Sequence, residues 1–208
     1  DEYLNVSYPD SYHDGDLNPL IVPRGLQSNS NFIDFFIGVL FAERLEKKVA
    51  ENGDISILKD KNIVDESLKI DEEFCEKLKF YSPVKNVRID EGYKVGIEGD
   101  TFYINYILFQ FLVQGEWLTW DKLSDGTKRI VYLISEVIYR KKGIYLIEEP
   151  ELGIHPDQLH KLMTFLKEQS KEKQIIITTH SPQVLNVLKE DELDHLIICR
   201  HEGDRGTK

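Results

Sequence analysis

Ile144-Tyr145-Leu146-Ile147-Glu148-Glu149-Pro150-Glu151 decides the reading of this sequence. A short, fully apolar strand runs straight into two adjacent carboxylates, with a third just past a proline. An apolar strand ending this way is a place for a Mg²⁺ ligand beside a general base. Mg²⁺ takes one or two carboxylates and completes its shell with substrate phosphates and water. A neighbouring carboxylate can orient or deprotonate an attacking water. Taken alone, the octapeptide reads more plainly as an acidic turn after a strand.

Working outward, residues 119–208 alternate strands with helices. A helix is expected over 124–142, capped by Ser124, with Ile130, Val131, Leu133, Ile134, Val137 and Ile138 as its buried stripe, ending at Arg140-Lys141-Lys142-Gly143. A helix over 156–170, a strand over 174–179, a short helix over 182–188 and a strand over 195–199 follow. This rhythm predicts an α/β fold with a parallel sheet covered on both faces, whose ligands sit beyond the carboxyl ends of the strands. The second strand ends in Thr178-Thr179-His180-Ser181-Pro182, so His180 is expected on the same edge as Glu149; by itself it reads equally as a histidine capping the next helix, and the two strand ends together shift the balance. The heptapeptide Leu123-Ser124-Asp125-Gly126-Thr127-Lys128-Arg129 brings a hydroxyl, a glycine and the amides of a helix start together. Such a start suits a phosphate, Gly126 permits close approach, and Lys128 and Arg129 add charge. It also reads as a plain helix cap.

Upstream, residues 1–30 are rich in Asp, Asn, Ser, Pro and Gly and read as an irregular segment. Residues 31–83 read as helical. One helix spans 31–52, with Asn31 as cap, Phe32, Phe35, Phe36, Val39, Leu40 and Leu45 as stripe and Gly53 as stop; a second spans 71–80, and 54–70 is weakly patterned. Residues 84–118 read as antiparallel β, a meander of strands over 84–89, 93–98 and 101–109 joined by Asp90-Glu91-Gly92 and Gly99-Asp100.

Charge narrows the function classes. Lys and Arg number 26 and Asp and Glu 37, so 26 − 37 gives −11, a poor balance for a chain that grips phosphate backbones non-specifically; a local basic face stays open. Cys75 and Cys199 show neither metal spacing nor a disulfide framework, which predicts a reducing, cytoplasmic setting. No apolar run reaches the roughly 18 residues of a membrane span, so no membrane partner is expected. Met163 is the only methionine, which predicts a fragment of a longer chain.

The heptapeptide 123–129, the strand and carboxylates 144–151, Gly153-Ile154-His155-Pro156 and Thr178-Thr179-His180-Ser181-Pro182 occur in that order. Together they resemble the C-terminal half of an ABC-type ATPase head, in the SMC-like and OLD-like AAA branch, over about residues 115–200. The four stretches resemble the ABC signature, Walker B strand, D-loop and switch-histidine loop. The resemblance implies ATP and Mg²⁺ as cofactors. Ser124, Gly126, Lys128 and His180 would contact nucleotide, with Ser124 and Gly126 reaching the γ-phosphate held by the opposite protomer. Glu148 would hold the metal where the family usually has aspartate, and Glu149 would be the base. Gly153, His155 and Pro156 would cross a dimer interface. The family's P-loop has no counterpart, since no Gly-Lys pair occurs in the chain. Its Q-loop glutamine has three candidates, Gln27, Gln110 and Gln114.

Trp117 and Trp120 can stack on a base or pack in the core, the plainer reading. Cys199 is expected as a buried small residue. The expected activity is ATP hydrolysis by heads that pair, as a homodimer or higher homo-oligomer, around ATP. Those heads would drive an attached effector of the nuclease or toxin kind, as in anti-phage defence or DNA repair, with any DNA contact made by parts outside this chain. A non-catalytic ATP-sensing or partner-binding module without its own P-loop is the first alternative. A nucleic-acid-processing enzyme with its site within residues 1–115 is the second, although no carboxylate and histidine cluster marks one there.

Overall fold

The computed structural model describes residues 41–98, 101–105, 107–139 and 144–199. The expectations for 1–30, for helix over 31–40, for the Gly99-Asp100 turn, for the 140–143 helix end and for Gln27 lie outside these residues.

Helix α1 (Ala42–Asn52) ends where Gly53, at φ 74°, turns its amide back to the Val49 carbonyl, a left-handed cap that glycine adopts without a Cβ clash. The weakly patterned stretch after it folds into a 3₁₀ turn (Ile55–Lys59) and helix α2 (Lys61–Ser67). Both are too short to show a period. Each starts on an aspartate: Asp54 accepts from the Ser56 amide and Asp60 from that of Asn62. Helix α3 (Glu72–Tyr81) follows Asp71, which receives a two-pronged pair from Arg44 at 2.7 and 2.8 Å.

The β segment departs from a simple meander. Strand β1 (Val84–Ile89) pairs with β4 (Phe109–Val113), and β4 with β5 (Glu116–Thr119), all antiparallel. Strands β2 (Lys94–Glu98) and β3 (Thr101–Asn105) form a separate hairpin inserted between β1 and β4. The run predicted over 101–109 therefore divides: Phe102 and Ile104 bury on the hairpin, while Phe109 and Phe111 bury on β4. The β4–β5 turn, missed in the sequence, is made by Gln114 and Gly115 at φ 52° and 88°, the positive pair of a tight hairpin.

The C-terminal lobe holds α4 (Asp125–Tyr139), β6 (Ile144–Glu148), α5 (Pro156–Gln169) and β7 (Gln174–Thr178). Strands β6 and β7 are parallel, with Ile144 opposite Gln174 and Glu148 opposite Thr178. Tyr145 and Ile147 join the core, and a single buried cluster runs through the helical segment, the β segment and this lobe. Helix α3 touches both α4 and α5; the Tyr81 hydroxyl donates to the Glu168 carboxylate, and the Tyr81 ring lies 5.3 Å from that of Phe165.

Two expectations change here. Among the described residues only one face of the β6–β7 pair is covered: Ile144, Leu146 and Ile176 are 57, 68 and 46% exposed on the other. The run over 195–199 forms no strand. A 3₁₀ turn (Glu190–His195) leads into irregular backbone that has no ladder partner, so Ile197 and Ile198 face solvent and Cys199 is exposed rather than buried.

Candidate active site

The parallel register brings Glu149 and His180 to one edge. The Glu149 amide donates to the Thr178 carbonyl at 2.8 Å, which extends the ladder by one residue. His180 Nε2 then lies 3.5 Å from Glu149 Oε1. The two side chains differ in setting, His180 being 89% exposed and Glu149 13%. Glu149 sits at φ 44°. This left-handed conformation costs a residue with a Cβ on the order of 1–3 kcal/mol and persists only where surrounding structure imposes it.

Two side chains tie this turn to the elements around it. Arg129, buried on the first turns of α4, donates through Nη2 to the carbonyls of Glu148 at 2.9 Å and Glu149 at 2.7 Å. Burial lowers the Arg129 pKa, and the charges of Glu151, Glu149 and Glu148 oppose that. Glu151 reaches the next strand end, where its Oε1 accepts from Thr179 Oγ1 at 2.6 Å and from the His180 amide at 3.1 Å. In the sequence Arg129 reads only as nearby charge and Glu151 only as a third acid. The available signal was Arg129 four residues before Leu133, a charge on the apolar stripe of α4.

The start of α4 is built as a cap. Ser124 Oγ accepts from the Thr127 amide at 3.2 Å, and Lys128 pairs with Asp125 at 3.6 Å. Gly126 is buried against the turn that follows Glu149. A Cβ placed on it would stand 2.4 Å from the Gly153 carbonyl oxygen, so glycine is required here by a contact within the same chain. Gly153 itself is at φ 72°. His155 caps α5, its Nδ1 accepting from the Asp157 amide at 3.4 Å, with Pro156 in the first turn; Gly153, His155 and Pro156 are all exposed.

Glu148 lies on the exposed face of β6, on the same side as Ile144 and Leu146. Among the described residues no three His, Cys, Asp or Glu side chains gather as a metal cage. A single hard carboxylate at a strand end fits Mg²⁺, which takes its other ligands from phosphates and water. Trp117 and Trp120 are both occupied: Trp117 lies under the Arg88 guanidinium at 4.1 Å, and Trp120 is buried 5.6 Å from Phe111. Of the glutamine candidates, Gln110 accepts from Arg88 and Gln114 makes the hairpin turn.

The arrangement of helices around the parallel strand pair has the fold of SMC ATPase heads. One solved structure, from work on ATP-driven dimerization and DNA-stimulated activation of SMC ATPases, matches with a TM-score of 0.50 and 18% identity, over 65% of this chain and 78% of that one. The chain belongs to the family described as "AAA domain, putative AbiEii toxin, Type IV TA system", whose model matches residues 35–186. Its relatives include the Septu protein PtuA of Bacillus thuringiensis, 34% identical over an 88-residue alignment that covers 35% of this chain and 22% of that protein. A retron Ec83 probable ATPase of Escherichia coli is 32% identical over an 85-residue alignment that covers 35% of this chain and 16% of that protein. The matches thus span about a fifth of these relatives' own length. No helix among the described residues is long and apolar enough to cross a membrane.

Proposed function

We propose that this chain is the C-terminal half of an ATPase head that hydrolyses ATP to ADP and phosphate. The observation that carries this reading is the approach of Glu149 and His180 to 3.5 Å across two neighbouring strand ends. Glu149 orients the attacking water and takes its proton, and its left-handed backbone aims the carboxylate off the strand end. His180, exposed beside it, contacts the γ-phosphate. Glu148 holds Mg²⁺, which when bound neutralises charge on the phosphates. Ser124 at the tip of α4, with Gly126 and Lys128 beside it, meets the nucleotide of a partner head, and Gly153, His155 and Pro156 lie across that interface.

Among the described residues the face carrying Ile144, Leu146 and Glu148 is uncovered, which supports a phosphate-cradling element packed there, since an apolar sheet face beside a metal ligand calls for a cover. The relatives named for Septu and retron systems support a place in anti-phage defence, with ATP-dependent pairing of heads driving a nuclease or toxin effector. The test is Mg²⁺-dependent ATP hydrolysis by the protein at full length, with Glu149→Gln as the control. Absence of hydrolysis in the unaltered protein would favour the other reading, a non-catalytic ATP-sensing or partner-binding module, which the missing Gly-Lys pair favours.

A further inference from the structure

We infer that Arg129 is a positioning residue for Glu149: it fastens the start of α4 to the peptide units on both sides of the catalytic carboxylate and holds them in the left-handed turn. This inference rests on the reading of Glu149 as the base.

Three observations carry it. The guanidinium is buried, and one nitrogen, Nη2, serves both carbonyls, at 2.9 and 2.7 Å. Charge-assisted bonds of this length are stronger than neutral ones. Glu149 needs such support because φ 44° is disfavoured for it. Around it the Leu152 amide reaches the Glu149 carbonyl at 3.2 Å, the Glu149 amide reaches the Thr178 carbonyl at 2.8 Å, and Glu151 ties the far side of the turn to Thr179 and His180; of these groups Arg129 is the one that brings a cation to the Glu148 and Glu149 carbonyls. Without Arg129 the Glu148 and Glu149 carbonyls lose their cationic donor, and the turn is free to relax toward ordinary β backbone. That relaxation would swing the Glu149 carboxylate away from its place beside His180.

The placement of Arg129 also explains its buried charge. Glu148, Glu149 and Glu151 surround it and favour its protonated form against the cost of burial. A lysine at this position keeps the charge and can donate to one or both carbonyls from a single ammonium, but it lacks the fixed planar fork.

The experiment compares Arg129→Met and Arg129→Lys with the unaltered protein at full length, using two readouts. In steady-state hydrolysis, Arg129→Met is expected to lower kcat by at least about tenfold while the KM for ATP changes less than about threefold, because the base is misplaced and no nucleotide contact is removed. Arg129→Lys is expected to recover part of kcat. In amide exchange, which needs no activity, Arg129→Met is expected to speed exchange at Glu149 and Leu152 by about tenfold or more, with the amides of α5 unchanged. Unchanged exchange at both amides overturns the inference, whatever the ATPase result. So does a loss of protection spread evenly through α5, which would mean that Arg129 serves general stability. If exchange quickens locally but the unaltered protein shows no hydrolysis, Arg129 holds the turn and the reading of Glu149 as a base fails instead.

Discussion

Glu149 and His180 stand at the ends of adjacent parallel strands with Oε1 and Nε2 3.5 Å apart, one side chain sheltered and the other open to solvent. The contact depends on register. Glu148 pairs with Thr178, so Glu149 stands one residue and His180 two residues past the last pair of the ladder. The sheltered group suits a fixed base and the exposed one a contact with an incoming phosphate.

Glu149→Gln in the full-length protein is expected to keep ATP binding and to lower hydrolysis on the order of 10²–10⁴-fold. The amide nearly matches the carboxylate in shape but cannot accept the proton. ATP-dependent pairing of heads should persist longer in this variant, as size-exclusion chromatography with ATP would show. Turnover at the unaltered rate would move the base elsewhere.

Glu151→Ala is expected to loosen the histidine loop without touching the base. It removes the acceptor for Thr179 Oγ1 and the His180 amide. The loss should lower stability by about 1–3 kcal/mol and reduce kcat less than Glu149→Gln does. Glu151→Gln keeps one oxygen acceptor and should fall between. Thermal melts and steady-state kinetics on the same samples separate the two effects.

Gly126→Ala is expected to destabilise the lobe by about 1–3 kcal/mol, because its methyl would stand 2.4 Å from the Gly153 carbonyl oxygen and displace backbone. Denaturant titration measures this. The same contact makes Gly126→Asp an ambiguous probe of action in trans. Ser124→Arg is cleaner, since Ser124 is exposed and its loss as a cap costs only about 1 kcal/mol. Mixing inactive Ser124→Arg with inactive Glu149→Gln should restore part of the activity, because one composite site in a mixed pair carries neither lesion. No recovery from demonstrated heterodimers, without strict coupling between sites, would leave Ser124 as a cap alone.

The 208-residue chain by itself is expected to bind a non-hydrolysable ATP analogue more weakly than about 10 μM, or roughly −7 kcal/mol. It lacks any Gly-Lys pair, and P-loop enzymes place a lysine and backbone amides around the β- and γ-phosphates. Calorimetric titration with Mg²⁺ tests this, and tight binding would show that the phosphates are held by other residues.

Alkaline unfolding offers a test of the contact between α3 and α5. Burial, with the Glu168 carboxylate beside it, pushes the Tyr81 hydroxyl up to about 12. The unfolded side chain loses its proton near pH 10, so the folded form is the one that binds the extra proton between these values. The stability due to Tyr81 is therefore complete below about pH 10 and is lost as pH rises toward 12. Tyr81→Phe should flatten that part of the stability profile, as denaturant midpoints measured from pH 9 to 12 would reveal.

Much of the C-terminal lobe was legible residue by residue. The apolar run 144–147, the stripe on α4 and the β-branched 175–178 specify their elements through local periodicity and burial, and the acids and histidine fall on one edge by their position at the strand ends. Short elements were less legible. The stretch 54–70 depends on two aspartate caps, and 101–109 divides because its phenylalanines bury in two different sheets, a choice made by packing partners distant in sequence.

The sequence by itself determined which residues could do chemistry and the edge on which they would meet, because strand direction and side-chain alternation are local properties of the chain. Only the tertiary structure decided how that edge is held. The left-handed backbone of Glu149, the hold of Arg129 on two carbonyls, the reach of Glu151 to the next strand end and the packing of Gly126 on Gly153 all join segments far apart along the chain. The same is true, among the described residues, of the uncovered face at Ile144, Leu146 and Ile176 and of the irregular backbone at 196–199. An apolar run states that burial is favourable, whereas the surface that buries it is fixed by which other elements the folded chain brings within reach.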